Sequence, residues 1–354
     1  MSHSLNPFSP STSSPGTGLI HLSLLSPLHQ VLRELTYQYP LKLISPDPHP
    51  APNASHNPVT TVFLLTYGGG LVGGDAIDLH VSMGERTRLV LLTQGSTKIF
   101  KAPERKVVTR QRLRVRVGKG AALCYLPDPS QPFQGSVFEQ RQVFEVVAGG
   151  RGEREGGKGE GTTCESSLCV LDWVSEGRKA RGESWSFHEW SGRNEVRQMA
   201  PEEEGGSGKG RLLLRDLVIL SDEHDSDQGV NGLVDRTDGL AVLGTLILLG
   251  PIFKELSDFI INTFSALPRI GAKDWTTRSP AEDASAEGKD AGNQAAIPWE
   301  RPGLLWTAAR VRGCVIVKFG SRDLSIAKQW LADLLSVEGS VEREFGHQAL
   351  FCLR

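Results

Sequence analysis

The 354-residue chain holds only five cysteines, and they are scattered. This excludes a disulfide scaffold. Cys124 and Cys352 have no near partner in sequence, and the five-residue step from Cys164 to Cys169 is not a zinc-ribbon spacing. The nine histidines form no HxH or HExxH pair, so a tight zinc site is not expected. GxSxG is absent, no other catalytic set assembles, and the chain does not read as an enzyme. No apolar run approaches the roughly 20 residues of a membrane-spanning helix. The longest, 240–253, is broken by Gly244, Thr245 and Gly250. Neither sign of charge dominates: 39 Lys and Arg stand against 41 Asp and Glu, a net of −2, which excludes a globally basic nucleic-acid binder. The Ser/Pro-rich start lacks the apolar stretch of a secretory signal, and no Arg precedes Arg33, which argues against a transit peptide. The expectation is a cytoplasmic protein with no membrane or nucleic-acid partner.

Hydrophobic residues make up 39% of the chain, enough for a sizeable core. Stretches 1–18, 45–58, 148–162, 200–210, 221–238 and 271–298 are rich in Gly, Pro, Ser or charge. They cannot bury enough apolar area to offset chain entropy, and they read as a disordered tail (1–18), a loop (45–58) and surface insertions within one domain, 19–354. Between them, short runs read as strands: 60–66, 76–83, 88–93, 106–117, 121–126, 136–147, 167–174, 183–190, 195–198, 211–219 and 310–319. In 76–83, Ile77, Leu79 and Val81 share one face; in 106–117, Leu113, Val115 and Val117 oppose Arg112, Arg114 and Arg116. Two spans have helical spacing. In 251–266 the face is Ile252, Leu256, Phe259, Ile260 and Thr263; in 322–337 it is Leu324, Ala327, Trp330, Leu331, Leu334 and Leu335, with Asp323 or Ser325 as the cap. The expected fold is mainly β, with two α-helices in the C-terminal half.

Four constellations bear on chemistry. The first, TYGGGLVGGD at 66–75, matches GxGxxG at Gly68, Gly70 and Gly73, but a dinucleotide site needs a helix next, and the following AIDLHVSM alternates as a strand. Its glycines fit a turn, or a backbone that a neighbour approaches closely. The second, TQGSTKIFK at 93–101, has the composition of a phosphate loop without GxxxxGK[ST]; it also reads as a polar loop closing a strand. In the third, residues 98–119 carry nine Lys or Arg and one acid, Glu104. Arg110, Arg112, Arg114 and Arg116 fall on one strand face, as a solvated face or as a surface for an anionic partner. With Phe100 the one aromatic in the stretch, an acidic protein suits it better than RNA. The fourth is Asp172, in the apolar strand of LDWVSEGRKARGE, with Glu183 eleven residues on. A carboxylate in a buried strand needs a partner or a cation, and Arg178 or Arg181 could form a salt bridge there.

The blocks TYGGGLVGGD, T…KIF and LPDPSQPFQ, followed by LDWVSEGRKARGE, 211–217 and GTLILLGP, resemble the UreD (UreH) family of urease accessory proteins in content and order. The resemblance runs from about residue 30 to about 335, and the insertions look like eukaryotic, fungal elaborations. Tyr67 stands where the family often has Pro or His, and Asp128–Pro129 replaces its usual Gln-Glu/Asp pair. The resemblance implies packed, partly helically wound sheets and a maturation scaffold. Its implied partners are the urease apoprotein, a UreF-like protein and, through it, a UreG-like GTPase. It implies that nickel passes transiently, weakly bound, through an internal tunnel. Weak successive oxygen ligands suit such passage. On this reading Asp172 and Glu183 are tunnel candidates, with Asp78 and His80 as further ones. Gly69, Gly70, Gly73, Gly74, Asp75, Thr93, Thr97 and Lys98 form the motif loops, of which Thr93, Thr97 and Lys98 could line or close the passage. Arg110, Arg112, Arg114 and Arg116 would meet a partner. The competing reading is a generic β-rich module binding an anionic protein or RNA through 98–119. A nucleotide-dependent enzyme would need a helix after Gly74.

Overall fold

The structure, a computed structural model, describes residues 14–25, 29–49, 58–147, 165–199, 210–222, 232–267 and 301–354. Two sheets face each other. The first contains β1 (Thr17–Leu25), β2 (His29–Tyr37), β6 (Ala76–Met83), β9 (Thr109–Val117), β12 (Val137–Val147), β14 (Glu189–Met199) and β15 (Arg211–Ser221), in the order β15-β14-β12-β9-β6-β1-β2. The main path of the second runs β17-β18-β16-β13-β10-β7-β4-β3. Those strands are β3 (Leu41–Ile44), β4 (Thr60–Thr66), β7 (Arg88–Leu92), β10 (Ala122–Tyr125), β13 (Ser167–Ser175), β16 (Val242–Leu249), β17 (Leu304–Val311) and β18 (Cys314–Ser321). Three short strands branch from it: β5 (Gly70–Leu71), β8 (Thr97–Ile99) and β11 (Ser130–Pro132).

From β4 to β14 the chain winds as a coil. Strands β6, β9, β12 and β14 are parallel neighbours in one sheet, and β4, β7, β10 and β13 in the other. Parallel neighbours need a long crossover, usually a helix; here a strand of the opposite sheet supplies each one. The short strands stack at one end of the coil: Gly70 pairs with Lys98, Thr97 with Ser130, and Ser130 with Val174. The glycine loop, the T…KIF loop and the LPDPSQPFQ segment are thus successive rungs of one ladder.

Burial follows the layers. Strand β9 alternates buried and exposed because the outer face of its sheet meets solvent. Strand β13 (SLCVLDWVS) is buried throughout, with the other sheet on one side and helices on the other. Between the sheets pack Ile77, Leu79, Val115 and Phe144 with Leu89, Leu91, Leu123 and Val170. The second core lies behind β13, where Leu171, Trp173, Leu246 and Leu248 meet α2 (Lys254–Ala266), α3 (Leu324–Glu338), α4 (Ser340–Phe345) and the C-terminal turn His347–Leu353. At the start of α3 the Asp323 side chain accepts from Ser325 N at 2.7 Å, and at its end Gly339 adopts φ 84°.

Several expectations change. The span 183–190 is not a strand: Trp185 has φ 48° and its Nε1 donates to Leu240 O, so the extended run begins only at Glu189. The run 310–319 is a hairpin, turned by Arg312 (φ 47°) and Gly313 (φ 87°), both left-handed as a tight two-residue turn requires. Besides the two expected helices there are α1 (Leu233–Arg236) and α4. The 221–238 stretch reaches into the fold at both ends, through Ser221 on β15 and buried Leu233 on α1. The expected tail ends before Thr17, where β1 begins, and its residues 1–13 lie outside the described residues. The expected insertions 148–162 and 271–298 also lie outside them, as does all of 200–210 but Gly210.

Candidate functional site: a polar seam between the sheets

The interior of the coil is apolar except along one seam. On the first sheet, Gln142, Asn194 and Asp216 are lateral neighbours on β12, β14 and β15. On the second, Asp172, Thr245 and Lys318 are lateral neighbours on β13, β16 and β18. Strand alternation places each of these positions inward, and the two rows touch. Gln140 Nε2 donates to Asp172 Oδ1 and Asn194 Nδ2 to Asp172 Oδ2, both at 2.6 Å. Thr245 Oγ1 donates to Asp216 Oδ2 at 2.9 Å, and Lys318 Nζ lies 2.5 Å from Asp216 Oδ1.

Asp172 divides two spaces. On one side is a chamber of about 20 Å3, lined among others by Thr93, Gln111, Asp128, Ser130 and Gln142, which is room for about one water. On the other is a groove of about 450 Å3 between edge strands β15 and β17, with Val218, Leu243, Leu305 and Trp306 as apolar walls and Thr245 and Lys318 as polar ones. Burial raises the Asp172 carboxyl from its ordinary value to about 6; the Asn194 and Gln140 hydrogen bonds pull it back, Asp216 raises it and Lys318 lowers it. The amide oxygens of Gln111, Gln142 and Asn194 are buried without a hydrogen-bond partner. Such orphan acceptors are costly, and they suit water or a cation. Among the described residues no three His, Cys, Asp or Glu side chains group to hold a metal ion. What the seam offers is carboxylate and amide oxygen.

The sequence candidates fall in different places. Asp172, Thr93 and Thr97 line the chamber. Glu183 does not; its carboxylate is paired with Arg178, accepts from Arg178 Nε at 3.0 Å, and the Arg178 guanidinium lies 4.0 Å from the centre of the Phe133 ring. The Arg178 hydrogen bonds hold the Glu183 carboxyl below its usual range, against the opposing effect of burial. Asp78 and His80 form a 3.2 Å pair, half exposed, on the outer face of β6 and away from the seam. Lys98 is exposed on β8. The glycine loop precedes strand β6, so the helix a dinucleotide site needs is replaced by a strand. A Cβ on Gly70 would meet Lys98 O at 2.7 Å, and one on Gly73 would meet Pro103 Cδ at 2.7 Å. Gly69 (φ 75°) and Gly74 (φ 93°) take left-handed backbone, and Asp75 Oδ2 closes the turn by accepting from Val72 N at 2.8 Å. The loop therefore serves the ladder.

Arg110, Arg112, Arg114 and Arg116 do share the solvent face of β9. Arg110 pairs with Glu139 at 3.2 Å and Arg116 with Glu145 at 3.5 Å. Arg112 lies beside Arg141, and Arg141 beside Arg193, a lateral row of three guanidinium side chains. Among the described residues Arg112, Arg114 and Arg141 make no ion pair. Next to the row, fully buried Glu195 binds Arg193, Arg197 and Arg215. Burial works against its charge, but Arg197 and Arg193 outweigh it and hold the carboxyl below its usual range.

Sequence reasoning passed over Gln140, Gln142, Asn194, Asp216, Lys318 and Lys328. A signal existed for the first three: each shares its strand's parity with buried apolar residues, as Gln140 and Gln142 do with Phe138 and Phe144.

The described residues thus form a two-sheet coil with a helical layer and an oxygen-lined seam. The UreD urease accessory protein family matches residues 17–152 and 162–351. A protein of Schizosaccharomyces pombe named "uncharacterized urease accessory protein ureD-like" is 29% identical over 319 residues, covering 90% of this chain and 93% of its own. Urease accessory protein 4 of Cryptococcus neoformans is 25% identical over 92% of this chain and 90% of its own. Urease accessory protein UreD of Sorangium cellulosum is 34% identical, but over 62% and 57%. The chain belongs to the UreD family of urease accessory proteins, and its role is in urease maturation rather than in urease catalysis.

Proposed function

We propose that this protein is the scaffold through which nickel reaches the urease active site, held between the urease apoprotein and a UreF-like protein that brings a UreG-like GTPase. The observation that carries the reading is the seam: buried Asp172 stands between an oxygen-lined chamber and an open groove, beside unpaired amide oxygens. A divalent cation bound by one or two carboxylates and neutral oxygens is held loosely enough to move on, whereas thiolate or imidazole ligands would retain it. The Arg112–Arg141–Arg193 row supports docking of an acidic partner surface. The four described cysteines are buried free thiols, in keeping with a reducing cytoplasm.

The test is co-expression with the host's apo-urease and its UreF-like and UreG-like proteins, comparing wild type with Asp172→Asn. Complex formation is followed by size exclusion, nickel content by elemental analysis and output by urease activity. The expected result is an intact complex with nickel-poor, inactive urease. Full activation by Asp172→Asn would overturn the conduit, and failure of the wild type to join the complex would overturn the scaffold.

A further inference from the structure

The carboxylates flanking Asp172 do not face the passage bare. On the groove side, Asp216 is held by Lys318 Nζ at 2.5 Å, and the same ammonium lies 3.3 Å from Thr245 Oγ1. On the chamber side, Asp128 is held by Lys328 Nζ at 2.6 Å, reaching in from α3, while Gly95 N donates to Asp128 Oδ2 at 2.9 Å. Both carboxylates are buried, at 7% and 8% side-chain exposure, while Lys318 is 44% exposed and so keeps a route to solvent. Asp128 lines the chamber and not the groove; Lys318 lines the groove and not the chamber. Each end of the seam therefore carries one buried aspartate and one resident ammonium, with Asp172 between them bonded only to neutral amides.

We infer that Lys318 and Lys328 are the gating residues of the seam: each ammonium neutralises its aspartate when no metal is present and must swing aside for a divalent cation to pass. The assignment rests on the conduit reading and extends it. A buried carboxylate stripped of its counter-charge is costly, so a departing cation would otherwise leave slowly. A tethered ammonium returns at once to the vacated aspartate, because its effective concentration there is fixed by its own side chain. It also repels an incoming cation until it swings away. The seam is in this way kept from becoming a tight binding site, although it holds three carboxylates and three orphan amide oxygens. Lysine suits the task, since its compact charge on a flexible stem moves freely, while a guanidinium fork would hold the carboxylate in two places.

The test uses purified full-length protein and Ni2+ alone, with the dissociation constant read by equilibrium dialysis and release by a chromogenic chelator. Lys318→Met and Lys328→Met are each expected to bind nickel at least about tenfold more tightly and to release it more slowly. Lys318→Arg keeps the charge and is expected to bind no more tightly than wild type. The double variant Lys318→Met/Asp216→Asn removes both charges, so it contains no stranded buried carboxylate, and it should lose the gain. Unchanged affinity in both methionine variants overturns the gate. Asp172→Asn then separates the two readings: if it loses nickel binding the conduit stands without a gate, and if it binds as wild type does both fail. Should Lys318→Met not fold, as judged by circular dichroism, Lys328→Met decides the matter from the other end.

Discussion

Replacing Asp172 by Asn should make the protein more stable at neutral pH while abolishing its use. In the folded state this carboxyl titrates at about 6, against an ordinary value of 3.8. A carboxyl raised on folding contributes stability that is fully present below the unfolded value and is lost as pH rises through the folded one. That rise corresponds to about 3 kcal/mol of destabilisation by the ionised group at pH 8. At pH 5 the folded carboxyl is mostly protonated and the unfolded one mostly ionised, which returns about 1.4 kcal/mol. Asn fills the same space. It would place one amide nitrogen against the donor of Asn194, but the Asn194 Oδ1 has no partner, so turning that amide over restores the hydrogen bond. Urea denaturation of both proteins at pH 5 and pH 8 is the assay. Asn is expected to raise stability at pH 8, with the advantage smaller by about 1.4 kcal/mol at pH 5. A difference between the proteins that does not change with pH would refute the argument, since it would mean that Asp172 carries no buried charge.

Other expectations rest on separate features. Glu183→Gln should lower the thermal midpoint at pH 7 by weakening the tie to Arg178; because the Glu183 carboxyl is depressed, that stability is present above its unfolded value and disappears as pH falls through the folded one, so wild type and variant should converge in acid. Gly73→Ala should cost about 1–3 kcal/mol in urea titration, since its Cβ would lie 3.0 Å from Ala102 Cα and 2.7 Å from Pro103 Cδ, and it should leave any nucleotide affinity unaltered. Arg112→Glu with Arg114→Glu should leave stability within about 0.5 kcal/mol while weakening capture of the partner complex. Wild-type capture should also fall between low and moderate salt, and the variant's should not.

Much of the fold was legible where a strand has one wet face. In β9 the Arg/apolar alternation states both the strand and its orientation, and β6 reads the same way. Asp172 stood out because β13 is buried on both sides and every other long position in it is apolar. Asp216 did not stand out: β15 carries exposed Leu217 and Ile219, so its inward face cannot be told from its outward one by hydrophobicity. Lys318 hides for the opposite reason, since a lysine in an alternating strand reads as solvent-facing. The turn at Arg312–Gly313 was missed because Arg is an uncommon occupant of a left-handed position. The three family blocks were recognisable as text, but that they are rungs of one ladder depends on pairings of Gly70 with Lys98 and Thr97 with Ser130, which no local pattern encodes.

The cost of the seam bears on its purpose. Gln111, Gln142 and Asn194 bury unsatisfied oxygens, and Asp172 buries a charge that amides alone accompany. Leucine or valine at these positions would pack the coil as Leu113, Phe144 and Val196 do beside them, and replacing buried polar groups by apolar ones of similar volume is commonly neutral or stabilising. The polar residues are also not confined to one strand, where a single structural need would explain them. They come from β9, β12, β13, β14, β15, β16 and β18 and meet because inward positions form adjacent lateral rows, Gln111–Gln140 and Gln142–Asn194–Asp216 on one sheet and Asp172–Thr245–Lys318 on the sheet that faces it. A structural ion pair such as Arg178–Glu183 closes on itself and leaves no acceptor over. The seam does leave acceptors over, at Asp172 between a small chamber and an open groove, and this is the property that the proposed cation conduit requires of it.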